Sequence, residues 1–147
     1  MEIRTYIAAP FSYKMQVRFL AGVLEPYDLM AQMRWLNHEF PYPGDVANPG
    51  NHQAAIRAAI EDTEDVIESE LVIWLTEPHI GSSFGRNFEA GIAYALCPAL
   101  WIVGEAVNVF SALQGPQPTG CYIRRFYNTA EMMVYIKRAY EQGAPIL

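Results

Sequence analysis

Leu71-Val72-Ile73-Trp74-Leu75 is an unbroken apolar run that empties into Thr76-Glu77-Pro78-His79-Ile80-Gly81-Ser82-Ser83-Phe84-Gly85-Arg86. An Ala- and Leu-rich helical stretch follows, Asn87-Phe88-Glu89-Ala90-Gly91-Ile92-Ala93-Tyr94-Ala95-Leu96, and then a second apolar run, Ala99-Leu100-Trp101-Ile102-Val103, ended by Gly104. A run with no polar position has no face to turn to water, so both read as strands buried on two sides. Strands of that kind belong to parallel sheets covered by helices.

The rest of the chain extends the same alternation. Arg4 to Ala9 (RTYIAA), closed by Pro10, reads as the first strand. Residues 13–24 carry Met15, Val17, Leu20 and Val23-Leu24 at spacings compatible with a helix, broken by Pro26-Tyr27-Asp28. Residues 29–36 (LMAQMRWL) fit either period and are read as strand, while residues 37–51, with Pro41, Pro43, Gly44, Pro49 and Gly50, read as loop. His52 to Ser69 is the clearest helix. A loop through Gly115, Pro116 and Pro118 precedes a last strand over residues 121–126. Asn128 and Glu131 then form a capping box for a final helix to about Gln142. The expected fold is α/β: one domain over residues 1–147, an open parallel sheet with helices on both faces, Rossmann- or flavodoxin-like. Ligands in such sheets bind outside the carboxyl ends of the strands. Those ends are residues 8–12, 76–86 and 104–110 here.

Composition sets the limits. At 147 residues, 52% hydrophobic and 18% charged, the chain suits a single domain with a real core. No apolar run approaches the roughly 20 residues that span a bilayer. Met1-Glu2-Ile3-Arg4 lacks the pattern of a signal peptide, so a cytoplasmic protein without a membrane partner is expected. The net charge is −6 and the ten basic residues are scattered, which leaves no footprint for duplex nucleic acid. Six of the sixteen acids fall between Glu61 and Glu70, the pattern of a solvated helix face. Cys97 and Cys121 have no CxxC or histidine partner spacing and read as buried reduced thiols. His38, His52 and His79 show no ligand spacing, so no metal is expected. Walker and GxGxxG loops are absent, and no cofactor is expected.

The loop of residues 76–86 carries the chemistry. Helix N-termini present free N–H groups and partial positive charge, which suits an anion such as phosphate. Gly81 and Gly85 permit close backbone approach, and Ser82, Ser83 and Arg86 add donors. The helix is expected to carry Glu89 in its first turn. The same residues also serve plain structural ends, with Ser83 or Asn87 as helix cap and Glu89 favouring the dipole.

Taken in order, Tyr6-Ile7-Ala8-Ala9-Pro10-Phe11, Asp62, the 71–75 strand and Phe88-Glu89-Ala90-Gly91-Ile92-Ala93-Tyr94-Ala95-Leu96 resemble the nucleoside 2-deoxyribosyltransferase-like superfamily. Asn108-Val109-Phe110 adds to the likeness, which spans Tyr6 to Phe110. The resemblance implies cleavage of the N-glycosidic bond of 2′-deoxynucleosides or deoxynucleotides and transfer of the deoxyribosyl group to another base. It implies Glu89 as nucleophile at C1′, Asp62 as the carboxyl that serves the leaving base, and Tyr6 as the hydrogen-bond partner that orients the nucleophile. An oxocarbenium-like transition state is well served by a carboxylate on the face of the sugar opposite the leaving base. Ala8, Pro10, Phe11, Gly81, Ser83, Gly85, Arg86 and Asn108 are the implied substrate-binding positions, with Asn108 closing a neighbouring subunit's site; Asn108 equally reads as a turn residue of its own loop. The implied partner is a small nucleoside or nucleotide, and the implied assembly a homo-oligomer.

Two departures bear on the substrate. Glu70 stands where the family has a second Asp, and is read as a support for the strand. Ser83 stands where the transferases carry a substrate-contacting Asp, as in the related deoxynucleoside 5′-monophosphate N-glycosidases. The Ala9-Pro10-Phe11 start is closer to the transferases. A hydrolase of deoxynucleoside monophosphates, or a non-catalytic nucleotide-binding protein, therefore stands beside the transferase. Asp62 also reads as one more charge of an acidic helix, and Tyr6 as a half-buried strand aromatic.

Overall fold

Six strands form one sheet in the order β2-β1-β3-β4-β6-β5 in a computed structural model that describes residues 1–37, 52–77 and 84–147. They are β1 (Ile3–Ala8), β2 (Leu29–Ala31), β3 (Leu71–Leu75), β4 (Ala99–Val103), β5 (Gly115–Pro116) and β6 (Tyr122–Phe126). All pairings are parallel except that of β5 with β6. The helices are α1 (Lys14–Leu24), α2 (His52–Ile67), α3 (Phe84–Leu96) and α4 (Thr129–Glu141). The doubly apolar runs are the two central strands, and every residue of β3 and β4 is buried.

Register divides the sheet into two faces. Tyr6 pairs with Val72 and Val72 with Leu100, whereas Ile7 pairs with Ile73 and Ile73 with Trp101. Neighbouring residues of a strand point to opposite faces. Trp101 meets Tyr135 of α4 edge-on at 5.8 Å, so α4 covers the Ile7 face. Tyr6 reaches Glu89 of α3, so α3 covers the other. The final helix begins with Asn128 Oδ1 accepting from the Glu131 N–H at 2.9 Å, while the Glu131 carboxylate reaches back to the Tyr127 N–H rather than to that of Asn128.

Several boundaries differ from expectation. The strand expected over residues 29–36 stops at Ala31. Gln32 N–H still donates to Thr5 O, but Arg34–Asn37 then winds into a 3-10 turn. Met33 and Trp35 are buried while Gln32 and Arg34 are exposed, so this segment has a strand's alternation without its ladder. Gly115–Pro116, expected as loop, forms a short antiparallel edge on β6. Helix α3 begins at Phe84 rather than Asn87, which draws Gly85 and Arg86 out of the loop and into the first turn. Residues 38–51 of the expected loop, and residues 78–83 with Gly81, Ser82 and Ser83, lie outside the described residues. Among the described residues, no helix is long and apolar enough to cross a membrane.

Candidate active site

The centre of the site is a phenol held against a carboxyl. Tyr6 is the fourth residue of β1, wholly buried, on the sheet face that α3 covers. Its Oη donates to Glu89 Oε1 at 2.8 Å across 83 positions of sequence. Asp62 of α2 acts on the same pair through its charge, which raises the pKa of both Tyr6 and Glu89. The three residues implied as catalytic thus come from β1, α2 and α3 and meet electrostatically at one place.

Burial dominates the protonation of this group. Loss of solvent pushes the Glu89 carboxyl from 4.5 up to about 8; the Tyr6 hydrogen bond opposes the rise and the Asp62 charge adds to it. Tyr6 is driven far above the ordinary phenol range, first by burial and then by Glu89 and Asp62, and remains a donor throughout. The expectation that Glu89 sits in the first helical turn, where it would favour the dipole, is corrected. Glu89 is the sixth residue of α3, and the dipole effect fades within the first turn.

The other expected positions are distributed as follows. Ala8 and Pro10 are buried at the carboxyl end of β1, and Pro10 O accepts from Tyr13 N–H at 2.8 Å to open a short 3-10 turn. Phe11, on that turn, is 43% exposed, and its ring lies 6.1 Å from that of the buried Trp35. Gly85 is exposed and a Cβ there would meet nothing within 4 Å, so packing does not demand the glycine. Arg86 is turned inward, 3% exposed, with Nη1 donating to Leu75 O at 2.9 Å. That bond ties the first turn of α3 to the end of β3, and burial lowers the guanidinium pKa. Asn108 is bound locally, its Oδ1 accepting from Ser111 N–H at 2.9 Å. It lines an apolar groove of about 810 Å³ with Phe88, Gly91 and Tyr94 of α3, and Glu89 is not among the residues lining that groove. Glu70 supports the sheet as read, its Oε2 accepting from Arg4 N–H at 3.0 Å.

Sequence reading missed Arg34 and Asp65. Asp65 follows Asp62 by three positions on α2, a spacing that puts both on one helix face. Arg34 carried no such signal, because its partner is 31 positions away.

No family model matches the chain, and no curated protein matches it. Among solved structures, the CMP N-glycosidase BcmB of Clostridium botulinum is similar, with a TM-score of 0.53. The alignment covers 92% of this chain and 96% of that one at 14% sequence identity. At that identity the likeness shows the fold: the α/β sheet with its helices is shared over nearly the whole of both chains.

Proposed function

We propose that this chain cleaves the N-glycosidic bond of a 2′-deoxynucleoside or deoxynucleotide through Glu89 and passes the deoxyribosyl group to another base. The observation that carries the reading is the 2.8 Å hydrogen bond from Tyr6 to Glu89, with Asp62 acting on the same pair. The fold shared with a solved N-glycosidase supports it. In the first step a Glu89 oxygen bonds to C1′ while the C1′–N bond breaks and its electrons leave with the base. The proton that the Asp62 and Glu89 carboxyls share must sit on Asp62 as Glu89 attacks, and Asp62 then gives it to the departing base. In the second step a nitrogen of the incoming base displaces Glu89 from C1′ and returns a proton to Asp62. Tyr6 holds one Glu89 oxygen so that the other attacks. Positive charge building at C1′ favours the carboxylate, and so works against the burial that keeps Glu89 protonated. No group outside the chain and its substrates is needed to balance either step.

A second reading is hydrolysis of a deoxynucleoside 5′-monophosphate, with water in place of the incoming base. It is favoured by the CMP N-glycosidase activity that the solved neighbour's name states. One experiment separates these. The protein is incubated with each deoxynucleoside and deoxynucleoside monophosphate, with and without an acceptor base, and free and exchanged bases are followed. Exchange supports the transferase; release without acceptor supports the hydrolase. Glu89→Gln should retain binding and lose turnover by about 10³-fold or more. Undiminished release by that variant overturns the nucleophile, and binding without release by the wild type leaves a nucleotide-binding protein.

A further inference from the structure

The turn between Glu61 and Asp65 presents four carboxylates, and one cation engages three of its residues. Arg34 N–H donates to Asp65 Oδ2 at 2.8 Å, its Nε donates to Asp65 Oδ1 at 2.8 Å, and Nη2 lies 2.7 Å from the same Oδ1. Nη2 also donates to Glu64 Oε2 at 2.9 Å and to Glu61 O at 3.1 Å. The Asp65 side chain is only 9% exposed, so its charge is poorly screened by water, and that charge reaches Tyr6. Arg34 is itself 45% exposed at its side chain and pays little for desolvation.

The same residue fixes the strip of chain beside β1. Immediately before it, Met33 Sδ accepts from Ile7 N–H at 3.0 Å, one residue beyond Tyr6. Immediately after it, the buried Trp35 packs against Phe11. Among the described residues, Asp62 of α2 acts on both Tyr6 and Glu89, while Asp65 acts on Tyr6, whose hydroxyl holds Glu89 at 2.8 Å; β3 and β4 bring no titratable side chain.

We propose that Arg34 is a positioning residue of this site: by holding and neutralising Asp65, it leaves Asp62 and Glu89 as the working carboxylate pair and pins the wall of chain that carries Trp35. This rests on the reading of Glu89 as a nucleophile that must ionise. With Arg34 neutral, Asp65 joins the negative cluster and ionisation of Glu89 becomes harder. With Asp65 neutral, the negative charge is removed at its source and the cation remains.

The test needs no substrate. The Glu89 carboxyl is titrated by carbon NMR, with Glu89→Gln used to assign its signal, in the wild type, Arg34→Gln, Arg34→Lys and Asp65→Asn. Arg34→Gln should raise the midpoint by about half a pH unit or more, and Asp65→Asn should leave it unchanged or lower it. Arg34→Lys keeps the charge and should stay near the wild type; if Arg34→Gln does not fold, Arg34→Ala takes its place with the same expected rise. Arg34→Gln and Asp65→Asn both break the latch, so equal shifts in the same direction, no shift in Arg34→Gln, or an Arg34→Lys midpoint raised well above the wild type would overturn the proposal. Base release, where found, should show its acid limb displaced upward in Arg34→Gln alone. Absence of any base release would defeat the proposed reaction while the titration still decides the role of Arg34.

Discussion

At the scale of single residues, the proposed role of Glu89 sets stability and activity in opposite directions with pH. Its carboxyl titrates at about 8 in the folded chain against 4.5 for the free group. Between those values the folded state holds a proton that the unfolded chain has lost, so stability falls as pH rises through this window and levels off above about 8. The proposed attack at C1′ requires the ionised form, so on that proposal kcat/KM should climb through the same window, with its acid limb near the free-enzyme value. Glu89→Gln has no such proton to lose. It should gain on the wild type by on the order of 2–4 kcal/mol at pH 9 and match it closely at pH 4. Urea unfolding at pH 4, 7 and 9 reads this directly, and parallel stability curves for the two proteins would show that burial does not hold the proton.

At the scale of elements, Gly104 shows how a strand end is constrained by its neighbour. It ends β4 at φ +119°, and a Cβ there would run into the Thr76 hydroxyl, which itself donates to Val103 O at 3.1 Å. Gly104→Ala should therefore cost about 1–3 kcal/mol, from strain and collision together, and a thermal melt checks it. Features of this kind also mark where sequence reading succeeds. The 71–75 and 99–103 strands were legible to the residue, since an apolar run has no alternative use for its pattern. Asn128 and Glu131 were legible because a cap is a local hydrogen bond. The segment from Gln32 to Leu36 was not, because tertiary contacts of Met33 and Trp35 produced a strand's alternation, and the 3-10 turn depends on a distant aspartate. The start of α3 was misread for a related reason: Gly85 looked like a loop residue, yet it lies within the helix. That Tyr6 meets Glu89, with Asp62 acting on the pair, was legible through family likeness alone. Their distance in sequence hides the contact, and the raised carboxyl follows from burial that no spacing reveals.

At the scale of the whole molecule, the apolar surface argues for assembly. Met33 and Trp35 are buried at 7% and 6% and contribute nothing to it. Phe110 does contribute, at 68% exposed, and is joined by Val109 at 77% and Phe88 at 67%. All three line the groove beside α3, whose floor is formed by sheet residues including Leu100 and Ile123. A two-fold contact needs a projection and a recess on the same face, and this face has both. We predict a dimer or larger homo-oligomer at micromolar concentration by light scattering. Val109→Asp should dissociate it without unfolding the chain, because Val109 is mostly in water. Asn108 borders the same groove and is absent from the Glu89 cluster of its own chain, so its expected role requires a second copy. Base release per chain should then fall on dilution in the wild type and be low at all concentrations in Val109→Asp. A wild type that is monomeric, and whose specific activity does not change on dilution, would remove Asn108 from the site and leave Tyr6, Asp62 and Glu89 acting within one chain.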